Sequence, residues 1–199
     1  MIPEYLNLRR VATVLRDNGG YDLGRAEMNP VIFEEFIGYV LDNDLPPVIW
    51  EPFSSGIGRF HDMADEVGVQ LIAHTLGPHD ARVLVEDSTE RGPECQIGGM
   101  LFHPTYYGSP PLASVGRAVG HLSTKDDYIK ALKKTADFAR LSLSDDGAVC
   151  AIGRDYRVSG ERVRLDEWYL DVFSRERGFN LAEVWMSEPD VVLIFRKIQ

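Results

Sequence analysis

Val48-Ile49-Trp50-Glu51-Pro52-Phe53-Ser54-Ser55-Gly56-Ile57-Gly58-Arg59-Phe60 is the stretch on which the fold turns. The short apolar run Val48-Ile49-Trp50 reads as a buried strand. A turn containing Pro52, Gly56 and Gly58 follows, and a helix is expected from about Gly58 to Val67. Small residues let such a turn close tightly and bring backbone near a ligand. The helix behind it presents free N–H groups at its N-terminus. Glu51, at the strand end, is suited to a ligand's ammonium. The same pattern also describes an ordinary strand-to-helix turn, so this segment alone leaves both readings open.

The alternation continues outward from there. Gln70 to His74 reads as a second strand, Ala81 to Val85 as a third, Gly99 to Phe102 as a fourth and Ala148 to Ile152 as a fifth. Asp126 to Leu141 carries Tyr128, Ile129, Leu132, Ala136 and Ala139 on one helical stripe, with Ser123 or Thr124 as the cap. Asp145-Asp146-Gly147 reads as a turn. Leu165 to Arg177 reads as a helix stopped by Gly178. Leu181 to Met186 and Val191 to Arg196 are two further strands, paired antiparallel around Ser187-Glu188-Pro189-Asp190. Upstream, helices are expected over Leu6 to Arg16 and over about Val31 to Leu41, the latter started by Pro30.

Strands alternating with helices predict a mostly parallel seven-stranded sheet with an antiparallel terminal strand and helices on both faces. Such sheets bind ligands beyond the carboxyl ends of their strands. The 199 residues are expected to form one domain, with residues 1–45 a helical segment packed on the core. With 44% hydrophobic and 26% charged residues, the composition is that of an ordinary globular domain. Cys95 and Cys150 form no metal or redox spacing, and the first residues lack a basic and apolar signal pattern. A cytoplasmic protein is therefore expected. No apolar run is long enough for a bilayer. His61, His74, His79 and His121 show no ligand spacing, so no metal is expected. A net charge of −10 weighs against unaided, non-specific grip on phosphates.

A second informative segment is Phe102-His103-Pro104-Thr105-Tyr106-Tyr107-Gly108, where a strand runs into a loop with a proline and two aromatics. By itself it is equally a strand end whose tyrosines pack against the sheet. Taken with Glu51-Pro52-Phe53, it resembles the DNA methyltransferases that act on base amino groups. These place Asp-Pro-Phe-x-Gly-x-Gly after the first strand and Asp/Asn/Ser-Pro-Pro-Tyr/Phe after the fourth. Asn29-Pro30-Val31-Ile32-Phe33, Glu86-Asp87 and Gly153-Arg154-Asp155-Tyr156-Arg157 resemble further segments of that family, so the likeness runs from about Asn29 to the end of the chain.

The resemblance implies a Rossmann-like class I methyltransferase fold with S-adenosylmethionine as cofactor. Pro30, Glu51, Phe53, Ser55, Gly56, Gly58, Thr75 and Asp87 would line the cofactor. His103, Pro104 and Tyr106 would hold the acceptor amino group, adenine N6 or cytosine N4. In the family, the acid and the carbonyl of the following proline accept the amino N–H bonds while the aromatic ring stacks on the flipped base. The implied partner is nucleic acid, DNA ahead of RNA, gripped directly or through a partner subunit; an oligomer is also compatible.

This chain departs from the pattern at four points. The glycines after the first strand are offset by one residue, His74 and Thr75 stand where an acid meets the ribose, and Thr105 replaces the second proline. His103 replaces Asp, Asn or Ser. A neutral imidazole offers one acceptor nitrogen and no negative charge. His103 could accept one hydrogen bond, act as a base toward a different acceptor, or mark a chain that no longer methylates. The alternatives are therefore an inactive methyltransferase-like partner subunit, or a methyltransferase for RNA or a small molecule.

Overall fold

A computed structural model describes residues 13–14, 28–54, 59–75, 81, 84–85, 87–108, 122, 124–187 and 190–199. In chain order these form β1 (Thr13–Val14), α1 (Pro30–Asp42), β2 (Val48–Glu51), α2 (Arg59–Glu66), β3 (Gln70–Thr75), β4 (Leu84–Val85) and β5 (Ile97–Phe102). There follow α3 (Lys125–Ser142), β6 (Leu143–Gly153), β7 (Asp155–Val158), β8 (Glu161–Arg164), α4 (Leu165–Val172), β9 (Phe179–Ser187) and β10 (Asp190–Lys197).

Eight strands make one sheet in the order β1-β9-β10-β6-β5-β2-β3-β4. Pairs β2–β3, β3–β4, β2–β5 and β5–β6 are parallel, while β10 runs antiparallel to both β6 and β9. The chain leaves β2 toward β3 on one side and returns to β5 on the other, so the switch point of the sheet lies between β2 and β5. A crevice outside the carboxyl ends of those strands is where this topology binds ligands.

Alternation along the strands builds two cores. Ile49, Leu71, Ala73, Leu101, Cys150 and Ile152 pack under α1 through Ile32, Phe33, Phe36 and Val40, and under α2 through Ala64. Trp50, Met100, Phe102, Val149 and Ala151 pack on the opposite face under α3, through Tyr128, Leu132, Ala136 and Ala139, and under α4, through Leu165, Tyr169 and Val172. Both faces are covered, which is why these strands read as nearly continuous apolar runs. Among the described residues, no helix is long and apolar enough to cross a membrane.

Local signals account for several boundaries. The Asn29 side chain accepts the Val31 N–H at 3.1 Å, and Pro30 occupies the first turn of α1. Thr124, not Ser123, caps α3 by accepting the Asp127 N–H at 3.1 Å. Gly178 adopts a left-handed conformation, φ 84°, where the last turn before β9 ends.

Four readings of the sequence are corrected. Thr13–Val14, within the expected first helix, forms a strand paired parallel with β9; the remainder of that helix lies outside the described residues. A sheet edge offers its unpaired N–H and C=O groups to such β-branched residues. The sheet therefore has eight strands, and residues 1–45 are not wholly helical. The turn expected at Asp145-Asp146-Gly147 is instead a bulge inside β6: Ile97 pairs with Leu143 and Gly99 with Ala148, leaving Ser144 to Gly147 unmatched. The helix expected to reach Arg177 ends at Val172, and a 3₁₀ turn covers Arg175–Arg177. Residues 155–164, for which the sequence predicts no strand, form the β7–β8 hairpin.

Candidate active site

The first strand-to-helix loop and the loop after β5 lie side by side at the carboxyl edge. Ser54 N donates to the His74 carbonyl at 2.9 Å, tying the loop after β2 to the end of β3. The Phe53 ring meets Phe102 edge to face, with centroids 5.4 Å apart, tying the same loop to the end of β5. Ser55, Gly56 and Gly58 lie outside the described residues.

Glu51 ends β2 as a buried carboxylate. Burial pushes its pKa up to about 7, only partly opposed by a hydrogen bond with Ser54. Beside it, the Trp50 indole donates to His74 Nδ1 at 3.4 Å within the buried edge of the sheet. Thr75 is buried at the end of β3. At the start of α1, Pro30 is covered by the core, and the polar group there belongs to Asn29. Asn29 Nδ2 donates to Ser187 Oγ at 3.1 Å, joining the helix start to the carboxyl end of β9. Asp87, after β4, is exposed, and its carboxylate accepts from the Thr89 N–H and hydroxyl at 2.8 and 2.7 Å.

The loop His103-Pro104-Thr105-Tyr106-Tyr107-Gly108 is clamped from two sides. The Tyr128 hydroxyl of α3 donates to the Thr105 carbonyl at 3.2 Å, and the Tyr156 hydroxyl of β7 donates to the Tyr107 carbonyl at 3.1 Å. Tyr156 also stacks on Tyr106, with centroids 5.0 Å apart and planes 16° from parallel. Gly108 has φ 73°, and a side chain there would strike Val158 of the hairpin. Tyr106 thus has one ring face covered by Tyr156, and its ring lies nearly perpendicular to the His103 imidazole, centroids 5.8 Å apart.

Behind this loop, Arg154 at the end of β6 forms a two-pronged ion pair with Asp190 at the start of β10, at 2.8 and 3.2 Å. The Asp190 side chain is 1% exposed. Burial and then the Arg154 guanidinium lower the His103 pKa to about 4. His103 is therefore a neutral acceptor throughout the neutral range, not a proton carrier. The Tyr106 hydroxyl is buried with no geometrically acceptable hydrogen bond among the described residues, and burial, followed by Asp190, raises its pKa to about 12. It stays a donor.

Sequence reasoning missed Asp190, which it took for a turn residue, and the stacking role of Tyr156. Arg154 stood out only within the family-like segment Gly153-Arg154-Asp155-Tyr156-Arg157. Local spacing gives no signal that residues 36 positions apart will pair. Among the described residues, no group of three or more His, Cys, Asp or Glu has metal-binding geometry.

No protein-family model matches the sequence, and no curated protein matches it. Solved structures do. A 1,6-didemethyltoxoflavin-N1-methyltransferase from Burkholderia thailandensis, with S-adenosylhomocysteine bound, is 15% identical with a TM-score of 0.57, over 84% of this chain and 79% of that one. The N-methyltransferase NodS from Bradyrhizobium japonicum WM9 is 12% identical with a TM-score of 0.53, over 86% and 98%. TrmN from Thermus thermophilus is 15% identical with a TM-score of 0.55, and this chain spans 51% of its length. The chain has the Rossmann-like class I methyltransferase fold.

Proposed function

We propose that this chain is an S-adenosylmethionine-dependent methyltransferase whose cofactor lies between the loop after β2 and the start of α1. The observation that carries this reading is Glu51. It is a buried carboxylate at the end of the central parallel strand, with no cationic partner among the described residues. A buried charge persists where a partner compensates it, and the α-ammonium of the cofactor's methionine would do so. Asn29, Phe53, Thr75, Asp87 and the Ser55-Gly56-Ile57-Gly58 turn would complete the site. The bound cofactor would supply a methyl group on positively charged sulfur; the chain's own residues hold both partners in line and exclude water.

The acceptor would sit at His103, Pro104 and Tyr106. A small planar acceptor is the leading reading. Many cations among the described residues are already matched by carboxylates, as in Lys133–Asp171, Lys134–Glu90 and Arg177–Asp137. Among the described residues these pairs reduce the positive charge open to a duplex. One structural neighbour is, by name, a methyltransferase acting on 1,6-didemethyltoxoflavin. The second reading, an exocyclic amino group of adenine or cytosine in DNA or RNA, is favoured by Glu51-Pro52-Phe53 and Pro104-x-Tyr106. It requires a partner subunit to grip the nucleic acid, given the charge of −10.

Calorimetry with S-adenosylmethionine tests the cofactor, and transfer of labelled methyl groups to DNA, RNA, nucleobases and phenolic or heterocyclic compounds tests the acceptor. Binding by the wild type that is lost in Glu51→Gln is expected. Absence of cofactor binding removes the methyltransferase reading; transfer to DNA alone removes the small-acceptor reading.

A further inference from the structure

We propose that Tyr156, carried on the β7–β8 hairpin, is a positioning residue for the acceptor: it holds the loop from His103 to Gly108 in the shape that receives a planar ring, and it takes no part in holding the cofactor. This rests on the methyltransferase reading and adds a residue to its acceptor side. Three observations lead to it.

The first is how the loop is shared between its neighbours. Tyr107 lies against the helices, its ring centroid 5.7 Å from that of Tyr128 in α3 and 6.2 Å from that of Trp168 in α4. Tyr106 lies against the hairpin instead, where Tyr156 stacks on it with centroids 5.0 Å apart. The Tyr156 hydroxyl donates to the Tyr107 carbonyl at 3.1 Å. One side chain thus engages both residues, by ring contact with the first and by a backbone hydrogen bond with the second. Its loss would take the parallel ring from Tyr106 while leaving Tyr107 against the helices.

The second is the construction of the hairpin. β7 and β8 form a two-stranded sheet separate from the main one. Ser159 and Gly160 join them with φ 50° and 87°, the backbone that a tight two-residue hairpin turn requires. A lone two-stranded hairpin is at best marginally stable in water. Here its base is pinned by Arg154 to Asp190 and by Arg164 to Glu167. Asp155, Arg157, Glu161 and Arg162 are exposed, while Tyr156 pairs across from the buried Val163 on the inner side. That inner side meets the acceptor loop through Tyr156 and Val158. Hairpin and loop therefore support one another.

The third is the division between the two halves of the site. Among the described residues, the ring and hydroxyl contacts of Tyr156 fall on Tyr106 and Tyr107. On the cofactor side, Asn29 bonds to Ser187 and Glu51 to Ser54. A loop ordered in advance spares the acceptor the entropic cost of ordering it on binding. That benefit falls on the acceptor alone.

The test uses the full chain saturated with S-adenosylhomocysteine and titrated with 2-aminopurine, a planar base bearing an amino group, whose fluorescence is followed. Affinity for S-adenosylhomocysteine is measured separately by calorimetry. Tyr156→Ala is expected to weaken 2-aminopurine binding about tenfold, and to leave the affinity for S-adenosylhomocysteine within about twofold of wild type. Tyr156→Phe, which keeps the stack and loses only the hydroxyl, should restore most of the lost affinity. Phe179→Leu is a buried substitution at the opposite end of β9 from Ser187. It should lower the unfolding temperature and leave both affinities in place. Four results overturn the proposal and leave the methyltransferase reading standing: 2-aminopurine bound by Tyr156→Ala as tightly as by wild type or more tightly, loss of both ligands together in that variant, an equal loss of 2-aminopurine in Phe179→Leu, or wild type that binds S-adenosylhomocysteine but no 2-aminopurine. Wild type that fails to bind S-adenosylhomocysteine defeats the methyltransferase reading itself.

Discussion

Phe53 and Phe102 meet edge to face, ring centroids 5.4 Å apart, and through this contact the loop that would carry the cofactor is fastened to the strand that ends in the acceptor loop. Edge-to-face pairs contribute roughly 0.5–1.5 kcal/mol beyond their buried area. Because Phe53 is only partly buried, Phe53→Ala should cost less than a fully buried phenylalanine, about 1–3 kcal/mol. Its effect on cofactor affinity should be larger than that of Phe53→Leu, which keeps most of the volume. Thermal unfolding and calorimetry on the two variants check this; equal affinities would mean the contact does not shape the site.

Glu51 should make stability and cofactor binding depend on pH in opposite senses. Its folded pKa, about 7, lies above the ordinary 4.5, so the folded state holds the proton more tightly than the unfolded one. The stability this contributes is full below about pH 4.5 and is lost as pH rises toward 7. Glu51→Gln should therefore raise the free energy of unfolding at pH 8, by up to about 3 kcal/mol, with little change at pH 4. An ammonium ligand favours the carboxylate, so wild-type affinity for S-adenosylmethionine should rise with pH through 7. Scanning calorimetry and titrations at pH 6 and 8 give both signs.

The Arg154–Asp190 pair should behave as a buried unit. Removing the cation alone strands a carboxylate with almost no solvent access, so Arg154→Met is expected to cost about 3–5 kcal/mol. The double variant Arg154→Met/Asp190→Leu should recover much of that loss, since no charge then remains unpaired. Urea unfolding of the wild type, both single variants and the double variant measures the coupling; strictly additive losses would contradict it.

Gly108 should tolerate no side chain. Its φ of 73° is strained for any L-residue, and a Cβ would lie 2.7 Å from a methyl group of Val158. Gly108→Ala should destabilise by more than about 1 kcal/mol. Adding Val158→Ala should relieve the clash but not the backbone strain. Urea midpoints that stay below wild type in both variants are the expected outcome.

Much of the architecture was legible in the chain. Val48-Ile49-Trp50, Gly99 to Phe102 and Ala148 to Ile152 are apolar on both sides because helices cover both faces, so composition alone marks central strands. Asn29 and Thr124 cap their helices with side chains that reach backbone two or three residues away. The closeness of the two motif loops also followed, since the strand order of such a sheet brings the ends of β2 and β5 together.

What the tertiary structure alone decided lies in contacts between distant segments. Thr13–Val14 is a strand because β9 offers it an edge. Asp145-Asp146-Gly147 is a bulge because β5 holds the chain on either side of it. Arg154 meets Asp190 and Tyr106 meets Tyr156 because β10 and the β7–β8 hairpin return to the same edge of the sheet. Residue periodicity records which side of an element is buried. Which partner waits there is set by pairings between segments that local sequence cannot encode.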